Sequence, residues 1–304
     1  MIRRLALALA LGLMALPAHI IAADTPKPTA GAKKVVFIAG GRSHAYGQHA
    51  FKAGCTLLQK RLEEAYPGKV VTELHTNGWP KDTTVLDSAD AIVIYCDGGA
   101  GHPVNKHLEQ IDKLAKKGVG IVCVHYGVEV PVGPSGTKFL DWIGGYFETF
   151  WSVNPHWVAK YEKIPDHEVT RGVKPFTAND EWYYHMRFRA NMDGVTPILT
   201  DLPPAETLGR PDGPHSGNPE VRRAILEQKQ PQHMAWALQR PDGGRGFGYT
   251  GGHYHKNWQN DNTRKLVLNA IAWVAKLDVP ANGVQSKTPT DDEIKANQDP
   301  KGKH

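Results

Sequence analysis

The chain has 304 residues, 40% of them hydrophobic, and about 250 remain once a leader and a polar tail are set aside, which suits one large α/β domain rather than two small ones. Its formal charge of +5, or +3 without Arg3 and Arg4, is too small for a nucleic-acid footprint without a clustered basic face. Cys55, Cys96 and Cys123 are an odd count, so they imply no complete disulfide framework and leave at least one thiol free.

Arg3 and Arg4 precede a stretch from Leu5 to Leu16 made of Ala, Leu, Gly and Met, followed by the small residues that end at Ala23. A basic start, an apolar core too short to span a bilayer and a small-residue cleavage site predict a signal peptide over 1–23, with export to the periplasm or the extracellular space. No later segment has the length to span. A linker over 24–33 then leads to the domain expected over 34–278.

Lys34 to Gly41 is predicted as a strand ending in a glycine turn, and His49 to Tyr66 as a helix with Phe51, Leu57, Leu58 and Leu62 on one face, stopped by Pro67-Gly68. Val70 to Leu74 and Ala89 to Cys96 follow as strands, then a helix over Asn105 to Lys117 closed by Gly118. Val119 to Val124 is a nearly continuous apolar run, as in a strand covered on both faces. Cys96 and Cys123 lie in such runs and are expected to be buried small residues rather than nucleophiles. Further on, Met234 to Gln239 and Gly246 to Thr250 read as late strands and Asn262 to Leu277 as a closing helix. The polar, charged residues 279–304 are expected to form a disordered tail.

This alternation of strand and helix with short connections predicts a parallel sheet with ligands at the carboxyl ends of its strands. The segments after the strands carry the candidate residues: His44 after Gly40-Gly41, His102 after Asp97-Gly98-Gly99, and His125-Tyr126-Gly127. His125 sits at the tip of a strand-to-helix elbow, a position that projects a side chain over the sheet, and imidazole there suits proton transfer or metal binding. His253 and His255 project to one side if their segment is extended, so that with His44 and His125 they could ligate Zn or another borderline metal. Adjacent Asp180 and Glu181 cannot both face one site in a strand; Glu181 is the candidate acid–base residue, desolvated by neighbours such as Trp182. The glycine loops lack the order of a dinucleotide or P-loop motif.

The glycine-ended first strand with His44, the His125 elbow, Pro155-His156-Trp157, Asp166-His167-Glu168, Asn179-Asp180-Glu181 and Gly251-Gly252-His253 together resemble the ThuA-like family, named for trehalose utilisation. The resemblance covers roughly Lys34 to Lys276 and implies a fold similar to class I glutamine amidotransferases, a three-layer flavodoxin-like sandwich. Those relatives carry cysteine at the elbow, where this chain has His125, so glutamine hydrolysis is not expected. The resemblance implies carbohydrate metabolism, with disaccharides or keto-sugars as substrates. His125 and Glu181 are then the expected catalytic pair, and His44, His102, Tyr126, Trp182 and His253 the expected substrate contacts. Three readings stand at this point: acid–base chemistry on a sugar, metal-assisted chemistry, and sugar binding without catalysis. Oligomeric state, including a homo-oligomer, stays open.

Overall fold

The computed structural model describes residues 28–300, so the expected leader over 1–23, the start of the linker and the last four residues lie outside the described residues. In the first half β1 (Lys33–Ala39), α1 (Phe51–Ala65), β2 (Val70–His75), β3 (Ala91–Tyr95), α2 (Leu108–Lys116), β4 (Gly120–Val124) and α3 (Pro134–Trp142) succeed one another. The second half contains β5 (Gly145–Tyr146), β6 (His156–Tyr161), β7 (Phe176–Glu181), β8 (Arg187–Phe188), β9 (Val195–Asp201), α4 (Pro219–Arg222), β10 (Gln232–Gln239), β11 (Arg245–Tyr249), α5 (Asp261–Val274) and α6 (Asp291–Lys295).

Seven strands form one sheet in the order β2-β1-β3-β4-β11-β10-β9. The pairings from β2 to β11 are parallel, as expected, while β10 and β9 extend the sheet antiparallel. Alternation along the central strands explains why they are apolar throughout. Phe37, Val93 and Val122 enter the core beneath α1 and α5, and Ile38, Ile94 and Ile121 enter the opposite core beneath α2 and α3. Helices on both faces of a mostly parallel sheet are the expected three-layer architecture. Cys55, Cys96 and Cys123 are all buried and unbridged.

Two features differ from the sequence reading. The helix expected from Asn105 starts instead as a 3-10 turn over Pro103–Lys106, because His102 Nδ1 accepts the Val104 N–H and fixes a tight turn before α2. The tail over residues 279–300 is not loose: Val279, Val284 and Ile294 are buried, and Arg61 donates to the Lys287 carbonyl (3.0 Å) and to Glu293 (2.8 Å). Thr290 and Glu293 form a capping box that starts α6. Three apolar side chains spaced along a polar stretch give little hydropathy signal, yet each finds a place in the core next to α1 or α5.

Candidate metal centre

Three histidines come from three strand ends. His49 ends the loop after β1, His125 follows β4, and His253 follows β11; Glu181 is contributed by the last residue of β7, whose hairpin with β6 lies outside the main sheet. The backbone is bent to deliver them: His49 and His125 have φ of 44° and 55°, in the left-handed region that non-glycine residues rarely occupy. Gly252, at φ 109°, turns the chain so that His253 faces inward, and Tyr95 hydroxyl donates to its carbonyl. Gly98 lets the loop after β3 lie on the His125 turn, since a Cβ there would stand 2.3 Å from the Tyr126 carbonyl oxygen. The close approach of that turn, rather than anion binding, accounts for this glycine.

All four side chains are buried. His49 Nε2 lies 3.0 Å from both His253 Nδ1 and His125 Nε2. Glu181 Oε2 lies 3.0 Å from His253 Nδ1, 3.4 Å from His125 Nε2 and 4.0 Å from His49 Nε2. A tetrahedral cation with ligands at about 2.0–2.1 Å sets its donor atoms about 3.3 Å apart, so these separations outline such a coordination shell. The outer contacts fix the tautomers. His125 Nδ1 donates to the Thr250 carbonyl at 2.8 Å and His49 Nδ1 donates to Asp97 at 3.1 Å. A neutral imidazole has one N–H, so with both committed outward the two Nε2 lone pairs face each other across 3.0 Å, an arrangement that a shared cation resolves. Burial disfavours ionisation of Glu181, but the polar surroundings supplied by the His125, His253 and His49 rings outweigh it and hold the carboxyl well below the usual range. Tyr183 hydroxyl stands 3.2 Å from His125 Nε2 and 3.3 Å from Glu181 Oε2, its proton held strongly by burial and by Glu181.

The family described as ThuA, trehalose utilisation, matches residues 34–274. The chain belongs to the ThuA family. No curated protein matches the chain. Among solved structures, a ThuA-like protein from Bacteroides uniformis is 18% identical with a TM-score of 0.55, covering 86% of this chain and 95% of its own. A ThuA-like protein from Parabacteroides merdae is 15% identical with a TM-score of 0.50, covering 86% and 94%. At these identities the likeness supports the fold, which is consistent with the class I glutamine amidotransferase-like sandwich.

The ThuA fold brings together three of the residues singled out from sequence, His125, Glu181 and His253, and adds His49, which the sequence reading had placed at the start of a helix. His44 stands at the edge of the cluster, stacked on the His49 ring at 3.5 Å, with its pKa lowered to about 4 by burial and by His49. Tyr126 also borders it, 5.9 Å from the His49 ring. His255 does not join it, because the chain enters a 3-10 turn at that residue instead of staying extended. Its ring is buried towards the Ile294 carbonyl without a well-formed hydrogen bond, and burial lowers its pKa to about 4. His102 is a buried structural residue, its Nε2 donating to the Gly127 carbonyl at 3.1 Å. Trp182 is core: it is fully buried against Tyr161 and Tyr249 and donates to the Ala178 carbonyl. Asp180 and Glu181 divide as expected, Asp180 accepting from the Gly252 N–H at 2.7 Å and from Asn257 at 2.9 Å while Glu181 faces the histidines.

Proposed function

We propose that the protein is a divalent-metal enzyme of sugar metabolism acting on trehalose or a keto-oxidised disaccharide. The observation that carries this reading is the pair of facing, tautomer-fixed Nε2 atoms of His49 and His125, closed by Glu181 and His253. A Zn-like ion held by these four would act as a Lewis acid on a carbonyl or hydroxyl oxygen. With their lone pairs directed at a cation, His125 and Glu181 hold it instead of moving protons, in place of the acid–base roles the sequence suggested.

Proton handling then belongs to side chains at the opening. A cleft of about 370 Å³, within the roughly 300–1,000 Å³ typical of small-molecule sites, has Glu181 on its wall with Asn154, His156, Glu206, Thr207 and Arg210. His156 is 47% exposed, with Nε2 3.9 Å from Glu181 Oε1. Burial lowers its pKa, so it is neutral near pH 7 and able to accept a proton. Amide, carboxylate and guanidinium groups around one cleft suit a polyhydroxylated ligand, in keeping with the trehalose-utilisation family.

We further propose export, on the basis of the leader at residues 1–23. Among the described residues no helix is long and apolar enough to cross a membrane. Amino-terminal sequencing of protein recovered outside the cytoplasm should begin at Asp24. For the activity, full-length protein loaded with Zn should convert trehalose or its keto derivative, followed by mass spectrometry, and lose turnover with chelator. Binding without product would favour a sugar-binding protein, and turnover indifferent to chelator would overturn the metal reading.

A further inference from the structure

A second carboxylate–imidazole group stands beside the cluster. Glu129, in the turn after β4, is 2% exposed, and both its oxygens meet His215 Nε2, at 3.0 and 3.1 Å. A buried carboxylate requires a compensating donor, and here the imidazole supplies it. With Nε2–H shared between the two oxygens, Nδ1 carries the free lone pair, and the side chain is 33% exposed.

The surroundings of His215 tie it to the proposed site. Its ring stacks on Phe147 at 5.4 Å, Phe147 packs on Tyr183 at 5.3 Å, and Tyr183 packs on His125 at 4.7 Å. His215 shares its loop with Arg210, which lines the cleft and donates to Asn154 Oδ1 at 2.8 Å and to the His215 carbonyl at 3.1 Å. The Asn154 N–H reaches the same carbonyl at 3.0 Å, and the Phe150 N–H reaches the neighbouring Pro214 carbonyl at 2.9 Å. Phe150 is 67% exposed with φ 63°, so an aromatic face is held out to solvent on this lip by an uncommon backbone conformation.

We propose that His215, oriented by Glu129, is a second proton-exchanging residue of the site and meets a hydroxyl of the bound sugar through Nδ1; this rests on the sugar reading above. In the step, neutral His215 takes the hydroxyl proton at Nδ1, leaving the oxygen with its electron pair, while Nε2–H stays on Glu129. The imidazolium so formed is balanced by the buried carboxylate and returns the proton in the reverse transfer. The hydrogen bond and charge of Glu129 raise the His215 pKa despite burial. Arg210 on the same loop opposes this, and Glu181 in the cleft wall adds to it.

The experiment uses full-length, Zn-loaded protein with ring-labelled histidine and trehalose as the probe, in the parent and in the Glu129→Gln and His215→Ala variants. Trehalose should shift the His215 resonances, and its affinity should follow the His215 titration. Glu129→Gln should lower that titration and the affinity midpoint together. His215→Ala should weaken trehalose at least ~10-fold, removing this pH dependence while metal stoichiometry is unchanged. Parent protein that binds trehalose with His215 unmoved and affinity unaltered in His215→Ala would overturn this inference alone. Failure of the metal-loaded parent to bind trehalose would remove the sugar reading and this inference with it.

Discussion

The four-residue cluster and the Glu129–His215 pair are built from the same chemistry and end with opposite capacities. In the cluster the ring protons of His49 and His125 are committed outward, to Asp97 and to the Thr250 carbonyl, so lone pairs converge on one point with a carboxylate. In the pair the ring proton is committed to the carboxylate itself, which leaves one nitrogen to titrate against solvent or ligand. The destination of a single N–H therefore separates a group that could hold a cation from the acid–base residue proposed at His215, although both use histidine and glutamate within one end of the sheet.

The largest expected break in this contrast is Glu181→Ala, which removes a cluster donor. Metal affinity, measured by competition with a chromophoric chelator, should fall by more than the roughly 10–100-fold typical of losing a supporting contact. Asp97→Asn keeps the four cluster donors and alters the partner of His49 Nδ1, so its loss should lie within about 10–100-fold. The pair should instead reveal itself by pH. Glu129 raises the folded-state pKa of His215, so its stabilisation is fully present below the unfolded value near ~6.5 and is lost as pH rises through the higher folded value. Glu129→Gln should accordingly cost more stability at pH 6 than at pH 9 in urea unfolding, by less than about 1 kcal/mol because His215 is partly solvated. Smallest is His255→Leu, at a buried imidazole without a well-formed partner: metal content should be unchanged and stability should alter by no more than about 1 kcal/mol in either direction.

The sheet was legible because its central strands are apolar on both faces and are followed within three residues by glycine, and this also pointed to the elbow at His125 and the turn before His253. Period-two reasoning separated Asp180 from Glu181, and the structure places them accordingly. It misled at His255, where a 3-10 turn begins one residue too early for the two rings to share a side. His49 was hidden by its position, since a polar residue just before Phe51 reads as a helix start; its ring is turned inward by a positive φ that sequence pattern does not reveal. Trp182 was over-read, an aromatic beside a candidate acid being core here. Glu129 and His215 lie 86 residues apart, joined by a loop contact with no local signature.

The most direct test of the central claim is metal content by mass spectrometry of full-length protein purified without chelator or affinity histidines, and again after incubation with Zn, for the parent and for His49→Ala. One divalent ion per chain is expected in the parent, and its loss in the variant, with both proteins folded. A parent that stays metal-free when Zn is offered, or a His49→Ala protein that keeps the ion with undiminished affinity, would contradict it.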